Sequence, residues 1–268
     1  MTATVHVVRA ELRKLLTTRL WWGLLVGLLV ASVVGVLATA SLAGRDLQGS
    51  GTAVPPLTDP ATVRAVYGAG VQTAYLCSLA LGVIAMAGEF RHRTITATLL
   101  GEPRRGRLVV AKALALAVVA LGYGVANAVV SVGVGAAAIT VRGASPMLTG
   151  DGVPRSVLLA VLAVTLWALI GFGVGTLVRN QVLALFAAIG VASLADPLLG
   201  LLLNVLDAGE AARFLPSQAT AALLTPPTTA AGVTSTYLAW WGGALVLLGY
   251  AVVSAALGAA VTLRRDVT

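Results

Sequence analysis

Apolar residues in this chain neither alternate with polar ones nor share each stretch with a polar face. They come in long runs, roughly Trp21 to Leu42, Tyr67 to Ala87, Ala113 to Val141, Val157 to Val178, Val182 to Leu206 and Leu238 to Leu263. About 18 apolar residues suffice for a helix rising ~1.5 Å per residue to cross the hydrocarbon layer. Lipid offers no partner for an unpaired peptide group, so each run is expected to be helical. The strands of a membrane β-barrel would alternate instead. The pattern predicts an all-α membrane protein, a single transmembrane domain over residues 1–268 with six transmembrane helices.

Three segments between the runs have patterns of their own. Before the first run, Val5, Val8, Leu12, Leu15 and Leu16 recur at helical spacing among Arg9, Arg13 and Lys14, which predicts an amphipathic interfacial helix ending by Leu20. The other reading is a straight continuation of the first span. After the second run comes the segment with the highest basic density, Gly88 to Arg107. There Ile95 and Leu99 share one face of a short helix that Gly101 and Pro103 would stop. Such a helix suits docking to a partner, whereas a basic loop also serves topology alone. Between the fifth and sixth runs, Phe214 to Leu224 is apolar but too short to cross. With Pro216 near its start, it suits a re-entrant or interfacial helix at the outer leaflet.

Composition narrows the picture. Hydrophobic residues make up 58% of the 268, charged residues 10%, and the mean hydropathy is +0.95. Soluble domains carry about 25% charged residues, so an ordinary soluble enzyme is excluded. The net charge of +8 belongs to topology rather than to nucleic acid. With the N-terminus inside, 13 of the 18 basic residues fall on the cytoplasmic side, placing both termini in the cytoplasm of a multi-pass inner-membrane protein. The opening residues also resemble a signal peptide with Ala38-Thr39-Ala40 as its cleavage site. The run from Trp21 exceeds the usual ~7–15-residue apolar region, however, so retention as a first span is expected. The single cysteine, Cys77, provides no disulfide framework.

Chemistry-bearing positions inside the runs are few. Asp196 is the one acidic residue within a predicted span, and Asp196-Pro197 is expected to interrupt the fifth. An ionisable group at that depth is a candidate intramembrane site, as is the amide of Asn127; for Asp196 the structural reading is that it reaches the outer water. Gln72, Thr73, Thr165, Ser193 and Ser254 suit interhelical hydrogen bonds, and Gly23…Gly27 and Gly171…Gly175 suit close helix approach. No P-loop motif is present, so the chain is not expected to be an ATPase itself. His6 and His92 lie in separate segments, no serine has a G-x-S-x-G context, and the GxGxxA match at Gly133 lies inside an apolar run.

Three patches resemble the membrane subunit of an ABC-2-type ABC transporter in its short actinobacterial form. They are Ala10-Glu11-Leu12-Arg13-Lys14-Leu15 with Thr17-Thr18-Arg19; Gly88-Glu89-Phe90-Arg91 with Thr94-Ile95-Thr96, Leu99-Leu100, Pro103-Arg104-Arg105 and Lys112; and Phe214-Leu215-Pro216. The resemblance implies a connecting helix over Val5 to Leu20. It implies a coupling helix over Arg91 to Leu100, with Glu89, Arg91, Arg93, Ile95, Leu99 and Leu100 coupling to a separate ATPase. Phe214, Pro216 and Gln218 would belong to the short outer helices that close the translocation path. The implied partners are two copies of an ABC ATPase, a second permease subunit (identical or homologous) and the bilayer, with no nucleic acid. No cofactor is expected on this chain, ATP and Mg being held by the ATPase. Glu89 would anchor the loop through Arg91, Arg93 or a partner cation, or form a local ion pair. Two rivals remain open: an ion-driven secondary transporter or channel, and an ATPase-recruiting immunity or sensor subunit without transport.

Overall fold

The computed structural model describes residues 2–45, 54–91, 105–150, 152–224 and 237–261, with the backbone alone at 2–4, 105 and 261. Among the described residues every regular element is a helix and none is a strand. In chain order these are α1 (Thr2–Thr17), α2 (Leu20–Leu42), α3 (Pro60–Arg91), α4 (Arg105–Val141), α5 (Val153–Leu177), α6 (Gln181–Val205), α7 (Gly209–Ala212), α8 (Pro216–Leu224) and α9 (Trp240–Val261). Six of them, α2 to α6 and α9, are long and apolar enough to cross a membrane. This is a multi-pass membrane protein.

Helix ends follow local hydrogen bonding rather than hydropathy. α1 stops at Thr17 because side chains take over its last carbonyls. Thr17 Oγ1 donates to the Lys14 carbonyl at 3.1 Å, Thr18 Oγ1 to Leu15 at 2.9 Å, and Trp21 Nε1 to Leu16 at 2.8 Å. The N-terminal segment is thus a helix of its own, not an extension of α2. α6 starts where Asn180 Oδ1 accepts from the backbone N–H groups of Val182 (3.0 Å) and Leu183 (3.2 Å), a helix cap. α3 begins at Pro60 rather than Tyr67, and α4 at Arg105 rather than Ala113. Both helices run past the apolar stretch into interface residues that a hydropathy window discards.

The core lies between α3 and α5. Some 61% of the most apolar stretch of each is buried, against 22% in α6 and α9. Glycines bring these two helices together: a Cβ at Gly82 would overlap the Ala168 carbonyl oxygen, one at Gly171 that of Leu79, and one at Gly175 would sit 2.7 Å from that of Val83. Gly171…Gly175 therefore packs inside the subunit. Gly23 meets nothing within 4 Å, and Gly27 meets Cys77 Sγ at 3.6 Å. At the end of the bundle away from α1, Arg142 donates to the carbonyls of Ala40 and Ala43 at the close of α2, and Tyr67 Oη donates to Pro146 at 2.7 Å.

The expected interruption at Asp196-Pro197 is not a break. α6 stays helical through both residues, but Val191–Ala195 forms a π-helical turn. The Asp196 N–H bonds five residues back, to the Val191 carbonyl. Proline has no N–H to give Ala192, the next carbonyl in that register. Tyr75 Oη of α3 donates to it instead, at 3.0 Å. A helix with a wider turn and a borrowed donor keeps its proline without stopping.

Candidate functional site

Two polar centres lie within the bundle. The first joins α1 to the roots of the basic segment. Glu89, near the end of α3, and Lys112, on the second turn of α4, are each 4% exposed, and Glu11 of α1 is 8% exposed. Lys112 Nζ donates to Glu11 Oε2 at 2.6 Å and to Glu89 Oε1 at 3.1 Å. Lys14 of α1 also pairs with Glu89 Oε1. The buried Lys112 ammonium lies between two carboxylates, and the half-exposed Lys14 adds a second positive charge from the cluster's edge, so that the buried charges are paired rather than isolated. Only two of the 18 basic residues are lysines, and both meet here. A compact ammonium with three donors fits between two carboxylates better than a planar guanidinium does. Glu89 is thus held from α1 and α4. Arg91 is exposed and faces a cavity beside the cluster; Arg93, Ile95, Leu99 and Leu100 lie outside the described residues.

The second centre surrounds the π turn. Asp196 is 5% exposed, buried against the start of α8 rather than open to solvent. Its Oδ2 accepts from the Ser217 N–H at 3.1 Å, capping α8, while Oδ1 is buried without a partner. A carboxylate at a helix N-terminus is favoured by the unsatisfied N–H groups and the dipole there. Trp167 Nε1 of α5 donates to Thr220 Oγ1 of α8 at 3.0 Å, and the Tyr75 and Trp167 rings pack with centroids 4.5 Å apart at a tilt of 44°. Trp167 is the fifteenth of the 25 residues of α5, so α8 reaches well into the depth of the bundle. Pro216 opens α8, Gln218 sits on it facing Gly200, and Phe214 just before it is exposed. A cavity of about 340 Å³ adjoins Asp196, Pro216, Trp167 and Tyr250.

Asn127 belongs to neither centre. It is fully buried on α4, and neither its amide oxygen nor its nitrogen has a partner. One turn further on, Ser131 and Ser32 share a hydrogen bond of 2.9 Å across α4 and α2, in space that a Cβ at Gly70 would occupy.

Compared with models of known protein families and with curated protein sequences, the chain matches none. Among the described residues no group of three or more histidine, cysteine or acidic side chains is placed to hold a metal. The sequence pattern gave Glu11, Lys14, Tyr75, Trp167 and Thr220 no site role, although the structure builds both centres from them. For the lysines a signal existed: in a chain that otherwise uses arginine, two lysines in two apolar-flanked segments point to a shared need. For Tyr75, Trp167 and Thr220 none existed, because aromatic and hydroxyl residues are ordinary within spans.

Proposed function

We propose that the chain is the permease subunit of an ATP-driven exporter of the ABC-2 type, working as a dimer with a separate ATPase. The observation that carries this reading is the buried ion cluster. Glu89 and Lys112 stand at the two roots of the segment between α3 and α4, and both are tied to α1. Removing one partner from such a buried set costs about 3–5 kcal/mol, so the three helices resist separation at that point. A push on the intervening segment would therefore reach α1, α3 and α4 as one unit. In this reading α1 is the interfacial connecting helix and Arg91 to Leu100 the coupling helix. The short helix Pro216–Leu224 is the re-entrant outer element beside the path.

The energy comes from nucleotide on the partner ATPase, whose differing affinity in two states shifts the dimer between inward and outward openings. Export rather than import is the analogy of the resembling family. The test is co-purification with a P-loop ATPase encoded in a neighbouring reading frame. Replacing Ile95 and Leu99 together by Asp should abolish association and leave membrane insertion unchanged. Undiminished association refutes the docking assignment. Reconstitution separates the rivals: flux without ATP marks an ion-driven carrier, and ATPase binding without flux marks a recruiter.

A further inference from the structure

Beside the ion cluster, at the arginine-rich end of the bundle, lies a cavity of about 520 Å³, within the size range of small-molecule sites. Its walls are of two kinds. Leu15, Trp21, Ile84 and Ala85 form an apolar slot between α1, the start of α2 and the last turns of α3. Arg19 and Arg91, both exposed, stand at its polar side. The two carboxylates that also border it, Glu11 and Glu89, are engaged by Lys112 and Lys14. Both carboxylates are thus already paired with lysines. Among the described residues no carboxylate pairs with Arg19 or Arg91.

We infer that this cavity is a binding site for one anionic phospholipid, its phosphoryl group held by Arg19 and Arg91 and the upper part of an acyl chain in the slot of Leu15, Trp21, Ile84 and Ala85. Three features select this occupant. A guanidinium matches a phosphoryl group in a bidentate fork, and two of them line the cavity. The site lies where charged helix ends and Trp21 mark the interface, the depth of headgroups. The slot is apolar, which a free phosphate would leave unfilled. A bound lipid would bridge the α1–α2 turn to the root of the basic segment, whether or not an ATPase docks there.

The experiment uses the full chain in non-ionic detergent, stripped of lipid. Dioctanoyl-phosphatidylglycerol, dioctanoyl-phosphatidylcholine and inorganic phosphate are added separately, and binding is read by native mass spectrometry and thermal shift. Phosphatidylglycerol should bind with one-to-one stoichiometry and raise the melting temperature; the other two should not. Arg19→Gln with Arg91→Gln should weaken it about thirtyfold, on the order of one interfacial charge contribution per arginine. Arg9→Gln with Arg13→Gln, which removes two exposed charges of α1 away from the cavity, should leave binding unchanged. Ala85→Trp, filling the slot with both arginines in place, should abolish it and keeps the test decisive if the arginine variant misfolds. Equal binding of phosphatidylcholine, equal loss in the Arg9/Arg13 variant, full binding by Ala85→Trp, or stabilisation by inorganic phosphate as great as by the lipid would each overturn the assignment.

Discussion

At the residue scale, the meeting of Tyr75, Ala192 and Pro197 makes the sharpest prediction. Tyr75→Phe leaves the Ala192 carbonyl without a donor in an apolar surrounding. Interhelical hydrogen bonds in membranes average ~0.6 kcal/mol, while an orphaned buried carbonyl costs about 1–3 kcal/mol. A loss of about 1 kcal/mol is expected, read as a lower melting temperature in detergent. Pro197→Ala would restore an N–H five residues after Ala192 and so should rescue Tyr75→Phe. The double-mutant cycle should therefore be non-additive, and simple additivity would show that the tyrosine is not standing in for the proline. Asn127 is the opposite case: its amide is buried with both atoms unpaired, and nothing near it in the structure accounts for its being there.

At the scale of elements, spacing alone could not say which glycines matter. Gly171 and Gly175 lie against the backbone of α3, as does Gly82 against α5, whereas Gly23, in an equivalent small-residue pair, faces open space. Gly82→Val should prevent α3 and α5 from closing and abolish monodisperse protein on size exclusion. Gly23→Ala should be tolerated and gain up to about 1 kcal/mol from helix propensity. The six spans were legible because each averages its hydropathy over some twenty residues. Their ends were not, because Pro60 and Arg105 lie beyond the apolar stretch; at Pro60 the helix start is set by Asp59 Oδ1, which accepts from the Ala61 N–H at 3.1 Å. The ion cluster was illegible as a cluster: Glu11 and Lys112 are 101 positions apart, and Lys14 and Glu89 are 75 apart. Each looked like an ordinary interfacial charge until the helices were brought together. The π turn was hidden for a related reason, since Asp196-Pro197 reads as a stop unless Tyr75 is known to be opposite.

At the scale of the molecule, burial is unequal. α3 and α5 form the inner pair, and α6 and α9 show most of their apolar side chains outward. The lopsided distribution of basic residues gives the bundle its expected orientation. Thiol labelling in intact cells tests it directly, with Cys77 first replaced by Ser. An impermeant maleimide should modify Arg213→Cys and spare Arg104→Cys; the reverse pattern would turn the whole topology over and place the basic segment outside.

The ion cluster also bears on how the chain is made. A ribosome delivers Glu11 and Lys14 long before Glu89, and Lys112 last of all. Until the third span has been inserted, the amino-terminal helix has no partner for its buried acid and must wait in water or among headgroups. Although α1 is synthesised before α2, α3 and α4, it is therefore seated only after they are in place, and its arrival reports that this part of the bundle has assembled.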